Sequence, residues 1–173
     1  MIGLMKMWDS ICERLKHHPE RLAVARVLVE NGLSVRNGKI FCNEIEIPTI
    51  RIAWVAKVDR RTVVETLRTI AADPRLRELF GQIRSAGLSL REIAKHLKLG
   101  VVEITPDDPR AVGILAGASS VIAAAGISIR QALVDDPELN PAPKLTLVTE
   151  RRIPGDLIAE ILKVKGVGKV SVY

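Results

Sequence analysis

Apolar and polar positions along this chain keep two different rhythms, and the change falls near residue 99. The first part is mostly helical in period. Residues 8–16 read as a short helix ended by His17-His18-Pro19. Pro19 suits the first turn of the next helix, where its missing amide would have no partner anyway. That helix is expected over 20–30, with Leu22, Ala25, Leu28 and Val29 at three-and-four spacing, and Asn31-Gly32 closes it. Over 34–47 the period drops to two. Val35, Lys39-Ile40-Phe41 and Ile45-Glu46-Ile47 alternate around Asn37-Gly38, a dipeptide that favours a tight hairpin turn. Pro48 ends the extended piece. Residues 50–58 and 60–72 are again helical, separated by a turn at 57–59, and Pro74 opens a further helix through Ile83. After a loop at Ser85-Ala86-Gly87, Ser89 is expected to cap a helix over 90–97, with Glu92 completing a capping box.

The second part changes texture. Residues 101–105 are a strand candidate, 106–110 a loop rich in proline and acid, and 111–125 a small-residue helix closed by Gly126. Strands are expected over 127–134, 144–150 and 169–173, with a proline-rich connection at 135–143 and a helix over 154–164. In the first of these strands Ile127, Ile129, Gln131 and Leu133 share one face, and apolar side chains on both faces suggest burial on both sides. The order strand-helix-strand-strand-helix-strand is the split βαβ pattern, two helices on one face of a four-stranded antiparallel sheet. The fold class is therefore α+β: a mainly helical domain over 1–98 and a ferredoxin-like βαββαβ domain over 99–173.

Residues 50–68 fit a helix, a tight turn and a second helix. Ala53 is small where two helices would cross, Val58 points inward from the turn, and Val63 and Leu67 plug the second helix onto the first. Asp59 can cap that second helix. Its remaining face presents Arg60, Arg61, Thr62, Glu65 and Arg68. Basic side chains at the start of such a helix are placed to reach base edges and flanking phosphates in a major groove. Arg60, Arg61, Thr62 and Arg68 are the expected DNA contacts, with Arg51 and Lys57 on phosphates.

Charge divides with the rhythm. Residues 1–98 hold 18 Lys and Arg against 11 Asp and Glu, a balance of +7, whereas 99–173 hold 8 against 9, a balance of −1. Such an asymmetry suggests two modules with different partners, the basic one suited to a polyanion. In the second module, Asp107-Asp108-Pro109-Arg110-Ala111-Val112-Gly113 is a loop that leads into a helix. Glycine there lets backbone amides approach a ligand, and free N–H groups at a helix start favour a carboxylate. Asp108, Gly113, Ile114, Ile129 and Gln131 are the expected ligand contacts.

Several function classes lose support. Uncharged apolar runs fall far short of the roughly 18–20 residues of a membrane span, so no membrane partner is expected. Residues 1–8 lack a secretory signal pattern, and a cytoplasmic location is expected, with Met1, Met5 and Met7 as alternative starts. Cys12 and Cys42 read as buried thiols rather than a disulfide or zinc set. His17, His18 and His96 have no acidic or nucleophilic partner nearby in sequence, and His17-His18 reads as a solvated pair. Asp107-Asp108 and Asp135-Asp136 each precede proline in a loop, where aspartate is favoured for turn reasons. With no phosphate-binding glycine loop and no nucleophile elbow, neither an enzyme, a metal nor a cofactor is expected.

Residues 99–173 resemble the ACT domain, a regulatory module that binds amino acids, although Val112-Gly113 stands where the usual motif has Pro-Gly. Over nearly its whole length the chain resembles a family of predicted regulators of amino acid metabolism with an N-terminal helix-turn-helix and a C-terminal ACT domain. The residues that carry the resemblance are Lys39-Ile40, Glu44-Ile45-Glu46-Ile47, Val58-Asp59-Arg60-Arg61, Ile129-Arg130-Gln131, Asp135-Asp136-Pro137, Lys144-Leu145-Thr146, Thr149-Glu150-Arg151 and Ile153-Pro154-Gly155. The resemblance implies a homodimer through the ACT domain, with an effector, an amino acid, at the seam and double-stranded DNA as the second partner. A regulatory subunit that docks on a biosynthetic enzyme without touching DNA is the competing expectation.

Overall fold

The computed structural model describes residues 7–173, so the expectations about residues 1–6 lie outside the described residues. The chain is α+β and divides into two units, 1–87 and 88–173. The division falls earlier than the expected 98/99, because the segment after Leu88 is tied to the sheet of the second unit. Reassigning Arg91, Glu92, Lys95 and Lys98 leaves 15 basic and 10 acidic residues in the first unit (+5), and 11 and 10 in the second (+1).

In the first unit α1 (Met7–Leu15) and α2 (Pro19–Glu30) precede a three-stranded antiparallel meander of β1 (Leu33–Arg36), β2 (Lys39–Cys42) and β3 (Ile45–Ile47). Asn37 and Gly38, at φ 52° and 71°, make the tight turn that pairs Val35 with Ile40. The segment is not one alternating run: Asn43, also at φ 52°, starts a second turn that folds β3 back onto β2. Next come α3 (Thr49–Ala56), α4 (Arg60–Ala72) and α5 (Pro74–Gln82). Ile11, Leu15, Val24, Leu28, Ile40, Ile70 and Phe80 are fully buried in the one core these elements share. Asp73 serves two helices. Its N–H donates to Thr69 at the end of α4, and its carboxylate accepts from the Arg75 and Leu76 N–H groups at the start of α5 and from Arg14 Nε at 2.8 Å.

Between α3 and α4 the chain turns at Lys57, which sits in the left-handed region at φ 55°. Val58 N–H closes the turn onto the Ala53 carbonyl at 3.0 Å. A β-carbon is strained in that conformation and glycine is not. Lys57→Gly is therefore expected to raise stability by about 0.5–1 kcal/mol, the gain being limited by the more flexible unfolded chain. A urea midpoint that fails to rise would contradict it.

The second unit holds β4 (Gly100–Pro106), α6 (Ile114–Ala124), β5 (Ile129–Val134), β6 (Leu145–Thr149), α7 (Gly155–Leu162) and β7 (Val167–Val172). The strands lie in the order β5-β6-β4-β7 and every neighbouring pair is antiparallel. Val102, Ile104, Leu145 and Leu147 pack on one face with Ile114, Ala118 and Ile122 of α6 and Ile161 of α7. On the other face Val101 and Val148 are covered by Leu90, Ala94 and Leu99, which explains why all five residues of β6 are buried.

Three expectations are corrected here. Residues 90–97 form overlapping turns rather than a capped helix, with Ala94 N–H on Arg91 O and His96 N–H on Ile93 O. Glu92 pairs with Arg91 instead of capping, and Arg91 Nε is drawn to Glu103 on the sheet. The helix before β5 begins at Ile114, since Gly113 sits at φ +90°. Finally, β5 is an edge strand whose Arg130, Ala132 and Val134 are exposed in the single chain. An irregularity between Ile129 and Gln131 pairs them with Thr149 and Val148, which puts the two side chains on opposite faces instead of one.

Candidate functional site

Two constellations stand out, one in each unit. In the first, α4 buries Val63, Thr66, Leu67 and Ile70 and turns its other side outward. Asp59 accepts a hydrogen bond from Arg61 N–H at 2.7 Å and so fixes where the helix begins. Ala53 is 2% exposed where α3 and α4 pack together, and Val58 is half-buried against the same core. Arg60, Arg61 and Arg68 are exposed, and with Val64 and Glu65 they line a shallow hollow along α4.

The surrounding groups hold these cations to different degrees. Arg60 Nε donates to Thr49 Oγ1 at 3.2 Å, and Arg68 pairs with Glu65 at 2.5 Å. Such exposed contacts are worth at most about 1 kcal/mol and give way easily. Thr62 is half-buried, and its hydroxyl donates to Glu20 at 3.2 Å, so it faces α2. Arg51 stacks on Trp54, 4.7 Å from the ring centroid, while Lys57 stands exposed at the turn. Trp54 and Val55 are exposed beside them, at 64% and 63%.

In the second unit a cavity of about 260 Å³ opens at one end of the sheet. Gly113, Ile114 and Leu115 line it from the start of α6, and Val134, Asp135 and Lys144 from the far end of the β5–β6 hairpin. Nothing lies within 4 Å of where a Gly113 side chain would begin, so the glycine is required by its backbone angle rather than by crowding. Asp135 Oδ2 accepts from Asn140 Nδ2 at 2.8 Å and from Lys144 N–H at 3.2 Å, which holds the carboxylate at the rim.

Only two of the five expected ligand contacts, Gly113 and Ile114, line this cavity. Asp108 caps its own loop, accepting from Arg110 N–H at 2.9 Å. Ile129 packs toward α6. Gln131 lies on the opposite face, where its side-chain amide accepts from Leu90 N–H and donates to the Leu88 carbonyl. Val134, Asp135 and Lys144, which line the cavity with Gly113 and Ile114, carry their signal in strand order. They become neighbours of Gly113 only once β5, β6 and β4 are known to lie side by side. Cys12 and Cys42 are half-buried, and among the described residues no three His, Cys, Asp or Glu gather as a metal set. Among them, too, no helix is long and apolar enough to cross a membrane.

Beneath the 88–99 segment, Glu103 is 3% exposed and bonds Arg91 Nε at 2.5 Å and Lys144 Nζ at 3.0 Å. Burial alone would raise this carboxyl, but the hydrogen bonds and charges of Lys144 and Arg91 outweigh it and hold the group below its ordinary value. Asp73 is lowered as well, first by the Leu76 N–H and further by Arg14. A carboxyl depressed in the folded state stabilises above its unfolded value and loses that contribution as pH falls through the folded one. The urea midpoint is therefore expected to fall below about pH 4, and Glu103→Gln should lower it at pH 7 while flattening the acid decline. An unchanged acid profile in that variant would contradict the assignment.

No family model matches the chain, and no curated protein matches it. Among solved structures, that of a mutant of Rv3291c is similar over 89% of this chain and 90% of that chain, at 16% identity and a TM-score of 0.30.

Proposed function

We propose that the protein is an amino-acid-responsive, DNA-binding regulator, its first unit carrying a helix-turn-helix and its second a ferredoxin-like ACT domain. The observation that carries the proposal is the exposed Arg60, Arg61 and Arg68 on a capped, core-anchored helix behind a tight turn. In this reading α4 lies in the major groove, and Arg51 and Lys57 meet the backbone. The sheet order β5-β6-β4-β7, with both helices on one face, supports the ferredoxin-like part. Its cavity suits a small zwitterion. The Asp135 carboxylate would take the ammonium, and the N–H groups of the first turn of α6 would take the carboxylate. Dimerisation through the second unit would present two α4 helices to two half-sites.

Binding of a mixed-sequence duplex by the full chain at two salt concentrations tests this directly. Five phosphate-neutralising cations give a slope near −4.5 in log K against log salt, or about 500-fold weaker binding from 50 to 200 mM. Failure to bind at low salt favours the second reading, a regulatory subunit that docks on an enzyme; exposed Trp54 and Val55 beside Ile50 would suit such a contact. A thermal-shift screen against the twenty amino acids tests the cavity, since a ligand that binds only the folded state raises the melting temperature.

A further inference from the structure

The walls of the cavity in the second unit restrict what it can hold. Apart from Asp135 and Lys144, every side chain that lines it is hydrocarbon. Pro106 and Pro109 come from the end of β4 and the loop after it, Ile114 and Leu115 from α6, and Val134 and Leu145 from β5 and β6. The prolines have no backbone N–H to offer. No serine, threonine, asparagine, glutamine or tyrosine is among the lining residues, so a guest meets no neutral hydrogen-bonding side chain. Leu115 and Val134 are 42% and 64% exposed, which leaves apolar surface at the mouth for a guest to cover.

The two charged groups are largely engaged within the protein. Lys144 Nζ bonds Glu103 at 3.0 Å beneath the 88–99 segment. Asp135 Oδ2 accepts from Asn140 and from Lys144 N–H, which leaves Oδ1 for an ammonium. A polar side chain brought into this space gives up its water without gaining a partner, and that costs binding energy. Size narrows the choice as well. The cavity of about 260 Å³ has the volume of about nine waters at roughly 30 Å³ each. An amino acid as small as leucine, with nine non-hydrogen atoms, fits that space.

Resting on the amino-acid reading of this cavity, we infer that its ligand is a branched aliphatic amino acid, of the class of leucine, isoleucine and valine. The ammonium meets Asp135, and the hydrocarbon side chain lies against Ile114, Leu115, Val134 and Leu145. Selectivity then comes from the walls: each methylene buried against them is worth about fourfold in affinity. A hydroxyl or amide in the same place is penalised because no lining side chain answers it.

The experiment titrates the full chain calorimetrically with each of the twenty amino acids and compares near-isosteric pairs. Valine is expected to bind about 100-fold more tightly than threonine, and leucine more tightly than asparagine. Alanine, three carbons shorter than leucine, is expected to bind about 60-fold more weakly than leucine. Leu115→Ala and Val134→Thr alter the wall at exposed positions, so each should keep the melting temperature of the free protein and weaken leucine, the first by about tenfold. Threonine or asparagine binding as tightly as its aliphatic counterpart overturns this inference alone, as does leucine affinity unchanged in both variants. Absence of binding by all twenty overturns the amino-acid reading of the cavity and takes this inference with it.

Discussion

The Arg60→Ala/Arg61→Ala double variant is expected to bind duplex DNA about 30-fold more weakly than wild type or worse, and with a salt slope shallower by roughly 1.8. The slope follows from removing two phosphate-neutralising cations at about 0.9 each. The loss of affinity follows from two contacts of at least about 1 kcal/mol each. Neither side chain is part of the core, since α4 is anchored by Val63, Leu67 and Ile70 on its other side. The folded state should therefore change by no more than about 0.5 kcal/mol, the usual range for surface positions. Arg60 does give up its bond to Thr49, so the urea midpoint of the variant is measured alongside. Weak binding with an unchanged midpoint identifies a contact surface. Unchanged binding would remove the basis for assigning these two arginines to DNA.

Phe80→Ala is expected to have the largest effect on stability, a loss of about 3–5 kcal/mol. Phe80 is fully buried on α5, which packs against β1 and α4. The chain is only 3% aromatic, so this ring is among the largest side chains in a mostly aliphatic core, and its truncation leaves a void. A typical domain is stable by about 5–15 kcal/mol, and this single truncation takes a large part of that. Because α4 rests on the same core, duplex affinity should fall with the folded fraction rather than through any lost contact. The denaturant midpoint checks this, and a shift equivalent to under 1 kcal/mol would contradict the packing.

Local chemistry made much of the first unit legible. Asp59 as a cap, the turn at Lys57 and the run of Val63, Leu67 and Ile70 are signals within a few residues of one another, and α4 has the bounds its sequence implied. Asn37-Gly38 and Pro74 were as informative, since each imposes a backbone angle that neighbours cannot override. Asn43 was less visible because its left-handed turn lies within an apparently continuous alternation.

What the sequence hid was decided by partners distant along the chain. Ser89, Leu90 and Glu92 satisfy every local rule for a helix start, yet Gln131 takes the Leu90 amide and Glu103 takes Arg91. Those bonds press residues 90–97 onto the sheet as turns. Gln131 could be recognised as a fastening only from the register irregularity after Ile129, which reverses the face it occupies. The cavity was half legible: Gly113 announces a special backbone position, but Asp135 and Lys144 reach it through strand order. Charge misled in detail too, since four charged residues of the 88–99 segment belong to the second unit.

Residue-resolved arginine modification of the full chain, with and without a bound mixed-sequence duplex, tests the central claim most directly. Arg60, Arg61, Arg68, Arg130 and Arg152 are all exposed, so each should react with phenylglyoxal in the free protein. With duplex present, Arg60, Arg61 and Arg68 are expected to be protected while Arg130 and Arg152 react as before. Equal modification of Arg60 and Arg61 in the bound and free protein, or protection confined to Arg130 and Arg152, would contradict the account.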